Sequence, residues 1–239
     1  MKRIILSMAL MIGVCQISFA HFMWIETEAT GKQGVTQEIK VYFGEYNYGV
    51  YEEVGGESFD KMKDFQLWVV DPAGKKQVLT TEARDKYYLA RYTPQTEGTF
   101  TVILDNDQID VVDYSQYDFG IFKTHYHAMA EINVGGEASL TADQNESGLS
   151  IQRVPSDDDT VKLQLSFLGK PLAESEVSVF ISDQWKKEIY TDKEGFVTFT
   201  LPWSTKYIVG VTKKEEVPGQ FRGEDYEFVW NCVTYCINN

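Results

Sequence analysis

Apolar side chains recur at every second position through short runs of this chain, and turn residues separate the runs. Val35, Ile39, Val41 and Phe43 keep one face of an alternating stretch. Phe65 to Val70 is a compact apolar run that ends at Asp71-Pro72-Ala73-Gly74, where Pro and Gly stand as a reversal requires. Tyr87 to Tyr92 and Gly98 to Leu104 read as two further strands, and Phe122 to Val134 as a longer one closing at Gly135-Gly136. No stretch of this half carries the 3.6-residue period of a three-turn amphipathic helix.

The pattern breaks between Gly135 and Asp159, where the composition turns polar around one short strand, Leu149 to Val154. It then restarts with Val161 to Phe167, Val177 to Phe180, Phe196 to Leu201 and Tyr207 to Val211, each bracketed by turn residues. The expected architecture is all-β: two consecutive β-sandwich domains of immunoglobulin-like or transthyretin-like type, over residues 21–137 and 159–239, with 138–158 as an interdomain crossing.

Residues 1–20 read differently. Lys2 and Arg3 precede the apolar Ile4 to Val14, and Ser18-Phe19-Ala20 places small residues at −3 and −1 of a cleavage site. The apolar stretch is shorter than the about 20 residues a membrane span needs. A cleaved signal peptide, a periplasmic or secreted product and no membrane insertion of the mature chain are expected. Lipidation at Cys15 is the alternative, with Val14 standing where a small residue is wanted. Cleavage after Ala20 removes two bases and no acid, leaving 20 Lys and Arg against 36 Asp and Glu, a net charge of −16. That balance argues against nucleic acid or an anionic membrane as partner, because both require a basic face.

Two cysteines then remain, Cys232 and Cys236. An even pair in an oxidising compartment points to a disulfide, and a thiolate metal site is the alternative. Four strand steps would hold the α-carbons about 13 Å apart, against the roughly 4.4–6.8 Å a disulfide needs. A bridge therefore requires a turn after the strand that ends near Trp230.

The second half carries GKPLAESEVSVF at 169–180 and TDKEGFVTFTLPWSTKYIVGV at 191–211. These stretches resemble the transthyretin-like or carboxypeptidase-regulatory-like sandwich pattern. Together with AHFMW at 20–24, VYFGE at 41–45, the D-P-x-G turn and GLSIQRVP at 148–155, the chain is similar to a larger group: uncharacterised periplasmic proteins related to the soluble, substrate-specific component of nickel and cobalt uptake transporters. The resemblance implies exported sandwich domains, capture of a divalent metal through the processed N-terminus, and a membrane transporter or outer-membrane receptor as partner. His21 is the only part of these motifs with ligand chemistry, and the chain lacks the membrane helix of some transporter subunits.

The three histidines are the most pointed chemistry in the chain. His21 would be the first mature residue, and His125 and His127 form an H-x-H pair. In a strand, residues i and i+2 share a face with α-carbons about 7 Å apart, so both imidazoles can meet one ion at about 2.0–2.1 Å per bond. Met129 continues that face, and Met23 shares a face with His21 in the same way. If the two strands are neighbours, His21, His125, His127, Met23 and Met129 converge on one Ni(II), Co(II) or Cu(II) ion, with the α-amine as a further donor. The competing view makes the H-x-H a polar edge and lets both methionines fill core gaps.

Other features are less directed. Tyr42, Tyr46, Tyr48 and Tyr51 crowd one segment and suggest either a sugar or peptide platform or sandwich-edge packing. Asp105, Asp107, Asp110 and Asp113, and Asp157 to Asp159, offer oxygen donors without EF-hand spacing and read as solvated acidic loops. No nucleophile-elbow, phosphate-loop or H-E-x-x-H signature is present. Three function classes follow: non-enzymatic binding of a divalent transition metal as an accessory to uptake, a cell-surface interaction or carbohydrate-binding sandwich, and a copper oxidative enzyme with an N-terminal histidine brace.

Overall fold

In a computed structural model the described residues are 21–135, 145, 147–156 and 160–238; the expected signal peptide and part of the expected crossing lie outside them. The main strands are β1 (Phe22–Glu26), β2 (Gln37–Glu45), β3 (Gln66–Val70), β4 (Tyr88–Tyr92), β5 (Gly98–Asn106), β6 (Ile121–Val134), β7 (Leu149–Val154), β8 (Val161–Phe167), β9 (Glu176–Phe180), β10 (Lys186–Tyr190), β11 (Phe196–Phe199), β12 (Lys206–Glu215) and β13 (Phe228–Asn238). The protein is an all-β sandwich, as the period-2 pattern requires. Among the described residues the α-helix is confined to one turn, Glu57–Asp60. No helix there is long and apolar enough to cross a membrane.

The strands form three layers. An outer sheet orders β1-β2-β4, with Glu82–Ala83 on its edge. The middle sheet orders β10-β9-β12-β13-β6-β5-β3 and adds Lys76–Val78 beyond β3. The far layer sets β8 between β7 and β11. The halves are therefore joined through a sheet as well as by the chain between them. The last strand, β13, lies parallel to β6 from Phe122↔Phe228 to Ala130↔Cys236 and antiparallel to β12 on its other side.

Strand alternation then sorts the middle sheet's side chains into two cores. Val69, Phe100, Val102, Leu104, Ala128, Ile132 and Ile208 pack with Met23, Ile25, Ile39 and Val41 of the outer sheet. Their sequence neighbours Trp68, Val70, Ile103, Met129, Val209, Val233 and Tyr235 turn the other way, onto Leu149, Ile151, Leu163, Leu165 and Val197. Burial on both faces is why these strands read as nearly unbroken apolar runs.

This layout corrects the expected disulfide. Cys232 and Cys236 lie in the same unbroken strand, are both buried and are free thiols. Strand rise keeps their α-carbons about 13 Å apart, beyond bridging distance. Burial pushes the Cys236 thiol up to about 12, and desolvation likewise raises Cys232. Both are unreactive fillers of the first core.

Candidate metal site

The same alternation decides which histidines can meet. On β6, Tyr126, Ala128 and Ala130 point into the core shared with the outer sheet. The Tyr126 hydroxyl donates to the backbone carbonyl of His21 at 3.1 Å, which fixes the start of β1 on that face. His125, His127 and Met129 must therefore project from the opposite face. The expected convergence of His21 with His125 and His127 is overturned: the middle sheet stands between them. The reason is that β1 pairs with β2 in the outer layer rather than lying beside β6.

His21 has other company. Glu45 Oε1 sits 3.0 Å from its Nδ1 and Glu52 Oε1 2.8 Å from its Nε2, so carboxylates flank both ring nitrogens. A histidine brace needs a second imidazole at the N-terminal residue, and the chain's other two are across the sheet. The methionines take core roles. Met23 is fully buried, and its sulfur accepts from Asn106 Nδ2 at 3.7 Å. The Met129 sulfur accepts the Ile151 backbone N–H at 3.4 Å. Tyr42, Tyr46 and Tyr51 pack their rings 5.4–5.7 Å from Trp24, while Tyr48 stays exposed.

The H-x-H pair does gather a ligand set, and its third member is Asp105. His125 and His127 hold their ring centroids 4.1 Å apart on one face of β6. Asp105, near the end of neighbouring β5, places Oδ1 2.6 Å from His125 Nε2 and 3.9 Å from His127 Nδ1. Donor atoms of the three lie within 4.8 Å of one another. Two donors on one ion cannot be farther apart than about 4.2 Å, twice a metal–nitrogen bond. With donors up to 4.8 Å apart, the set could hold one ion only once its widest pair closes to that limit and the 2.6 Å His125–Asp105 contact opens.

Asn145, Ser147 and Gly148 hold this group from outside. Ser147 Oγ donates to Asp105 Oδ2 at 2.8 Å, orienting the carboxylate. The Asn145 carboxamide nitrogen lies 3.2 Å from His127 Nδ1 and donates to the Leu149 carbonyl at 2.6 Å. Among the described residues the ring's other nitrogen, Nε2, is buried with no hydrogen-bond partner, and it faces Gly148, whose missing side chain leaves room for it. His127 itself is fully buried.

Burial and neighbouring charges set the protonation states of this group. Burial, reinforced by the adjacent His125, pushes the His127 imidazole down to about 3, so at neutral pH it is an uncharged lone-pair donor. Burial alone would raise the Asp105 carboxyl. The hydrogen bond and charge interaction with His125, together with the Ser147 hydroxyl, outweigh it and hold the group below its usual range. A neutral imidazole and an ionised carboxylate are the forms that bind metal. Sequence reasoning placed Asp105 in a solvated acidic loop; its adjacency to an H-x-H strand was the signal available. Nothing in the sequence marked Asn145, Ser147 or Gly148.

The chain belongs to the DUF4198 family, a domain of unknown function, whose profile matches residues 18–215. No curated protein matches it. Among solved structures it is similar to a two-domain fibronectin type III segment of chicken tenascin, at 11% identity and TM-score 0.25, covering 90% of this chain and 97% of that one. Salmonella alpha-2-macroglobulin reacted with methylamine gives 11% identity and TM-score 0.31 over 92% of this chain and 15% of its own. A Ca2+-stabilised adhesin of an Antarctic bacterium gives 12% identity and TM-score 0.26 over 92% and 49%. Likeness at this level supports no functional inference.

Proposed function

We propose that this member of the DUF4198 family is an exported, non-enzymatic protein that binds one divalent late transition metal ion through Asp105, His125 and His127. One observation carries the proposal: a carboxylate and two imidazoles gather on the middle sheet, one of them fully buried and held neutral. Imidazole donors favour Co, Ni, Cu and Zn over Mg or Ca, and affinity rises along the series from Co(II) to Cu(II). Three protein donors leave coordination positions open, which suits an ion that must be passed on. A strongly acidic chain raises the local concentration of cations around it. Handing Ni(II), Co(II) or Cu(II) to an uptake system in the membrane is the role consistent with export.

The test is calorimetric titration of the metal-stripped mature protein with Co(II), Ni(II) and Cu(II), beside Asp105→Asn, His125→Ala and His21→Ala. The wild type should take one ion per chain. Asp105→Asn and His125→Ala should each weaken binding by at least about tenfold, the scale of losing even an outer-shell partner. His21→Ala should leave it unchanged. Equal affinity in wild type and Asp105→Asn, or loss only in His21→Ala, would overturn the assignment.

A further inference from the structure

Two polar side chains lie buried at one end of the first core without hydrogen bonds. On β2, Ile39, Val41 and Phe43 face that core, and Gln37 takes the next position on the same face, 8% exposed. Its carboxamide makes no hydrogen bond to any described residue. Thr27, just past β1, is also 8% exposed, and its Oγ1 is buried with no partner among the described residues. A buried polar atom left unmade costs stability, so the fold alone would be better served by leucine and valine here. Both residues line one cleft of about 330 Å3, which Lys206 and Asn238 bound at the paired ends of β12 and β13. The Asn238 Nδ2 donates to the Thr27 carbonyl at 2.7 Å and ties the two sheets together there.

Every residue lining the cleft is polar, and most of its charges satisfy one another. Glu26 pairs with Lys206 and accepts from the Trp24 indole N–H at 3.0 Å. Glu38 lies 3.8 Å from the Lys40 ammonium and 3.5 Å from the Arg91 guanidinium. The groups left over are the Thr27 hydroxyl, the Gln37 carboxamide and the exposed Glu28, which is in no ion pair among the described residues. We propose that this cleft binds a neutral polyol of monosaccharide size, hydrogen-bonded to Thr27 and Gln37 inside and to Glu28 at the rim. A sugar hydroxyl both donates and accepts, and so do a threonine hydroxyl and a carboxamide. The paired ammonium groups leave no free cation to call for an anionic ligand. The volume falls at the small end of ligand sites, which span about 300–1,000 Å3. The inference is independent of the metal-binding reading.

The probes are D-glucose, D-galactose, D-mannose and myo-inositol, with D-glucosamine and D-glucuronate as charged counterparts. Each is titrated into the metal-stripped protein and into Thr27→Val and Gln37→Leu, with the Gln37 and Asn238 side-chain amides followed by NMR. At least one neutral probe should shift these resonances saturably, with a Kd on the order of 1 mM for so small a ligand. Each variant should weaken that binding by at least about tenfold while its Tm stays level or rises, because an unsatisfied buried group has been removed. No saturable shift with any neutral probe, or equal affinity in Thr27→Val, would overturn the proposal. Binding confined to the charged counterparts would overturn its neutral ligand, and a lower Tm in both variants would show that the fold itself satisfies these groups.

Discussion

Gly148→Ala tests the site without touching a ligand. A β-carbon built on Gly148 would lie 2.8 Å from Cε1 and 3.1 Å from Cδ2 of His127, and closer still to Nε2. Neither party can yield cheaply. The imidazole is fully buried and Gly148 is itself buried at the start of β7. The backbone of Gly148 is outside the left-handed region, so space alone is at stake. Overpacking of this kind costs about 1–3 kcal/mol, and the stiffer unfolded chain of an alanine returns about 0.4–1 kcal/mol. A net loss of about 1–2 kcal/mol, or roughly 2–8 °C in Tm for a domain of this size, is expected. Urea denaturation of Gly148→Ala, His127→Ala and the double variant measures it. The clash is specific to the ring, so the alanine should cost almost nothing once His127 is gone, a coupling of about 1–2 kcal/mol. Gly219→Ala is the control, because its new β-carbon meets only the movable tip of Tyr226. The same cost in both backgrounds would refute the placement of His127 against Gly148.

The metal-free protein should lose stability on acidification between about pH 6.5 and 3. The folded His127 value lies below the unfolded one, so the unfolded chain binds the extra proton and gains about 1.4 kcal/mol per pH unit across that window. Asp105, also lowered, adds loss in the same direction as pH falls below the ordinary carboxylate value of 3.8. His127→Ala should flatten the upper part of a Tm-against-pH curve, and an unchanged slope would count against a neutral buried ring. Cys232 and Cys236 should be silent toward a thiol reagent in the native protein and give two thiols per chain after denaturation without reductant. A mass two daltons low, with no thiol released, would show them bridged.

Period-2 alternation made the strands legible but left their neighbours open. The apolar runs Leu67 to Val70 and Phe100 to Leu104 were recognisable as strands, and their lack of polar alternation was the sign of cover on both faces. What no local pattern encodes is that β13 returns to lie parallel with β6 across more than a hundred residues of chain. The cysteine pair failed for a readable reason. Apart from Asn231, Phe228 to Ile237 is apolar, aromatic or β-branched and holds no Gly or Pro, so the strand runs on through both thiols. The histidines divide the same way. His125 and His127 share a face because spacing dictates it, whereas the place of His21 depended on which sheet β1 joins.

That dependence also explains why the ligand set sits where it does. A site on β6 and β5 uses two adjacent strands of the middle sheet whose side chains pack into both cores. Asp105 comes from near the end of β5, where the strand is leaving the core and a carboxylate can keep partial contact with water. His127 lies deeper, where burial keeps it neutral. A proton or an ion entering from the Asp105 side meets His125 first and the buried ring last. The short His125–Asp105 hydrogen bond is then the contact an ion must replace, and breaking it sets the threshold for loading. On the proposed reading, an ion that satisfies both imidazoles recovers that loss and one preferring oxygen ligands does not, so late transition metals are expected to bind in preference to Mg and Ca.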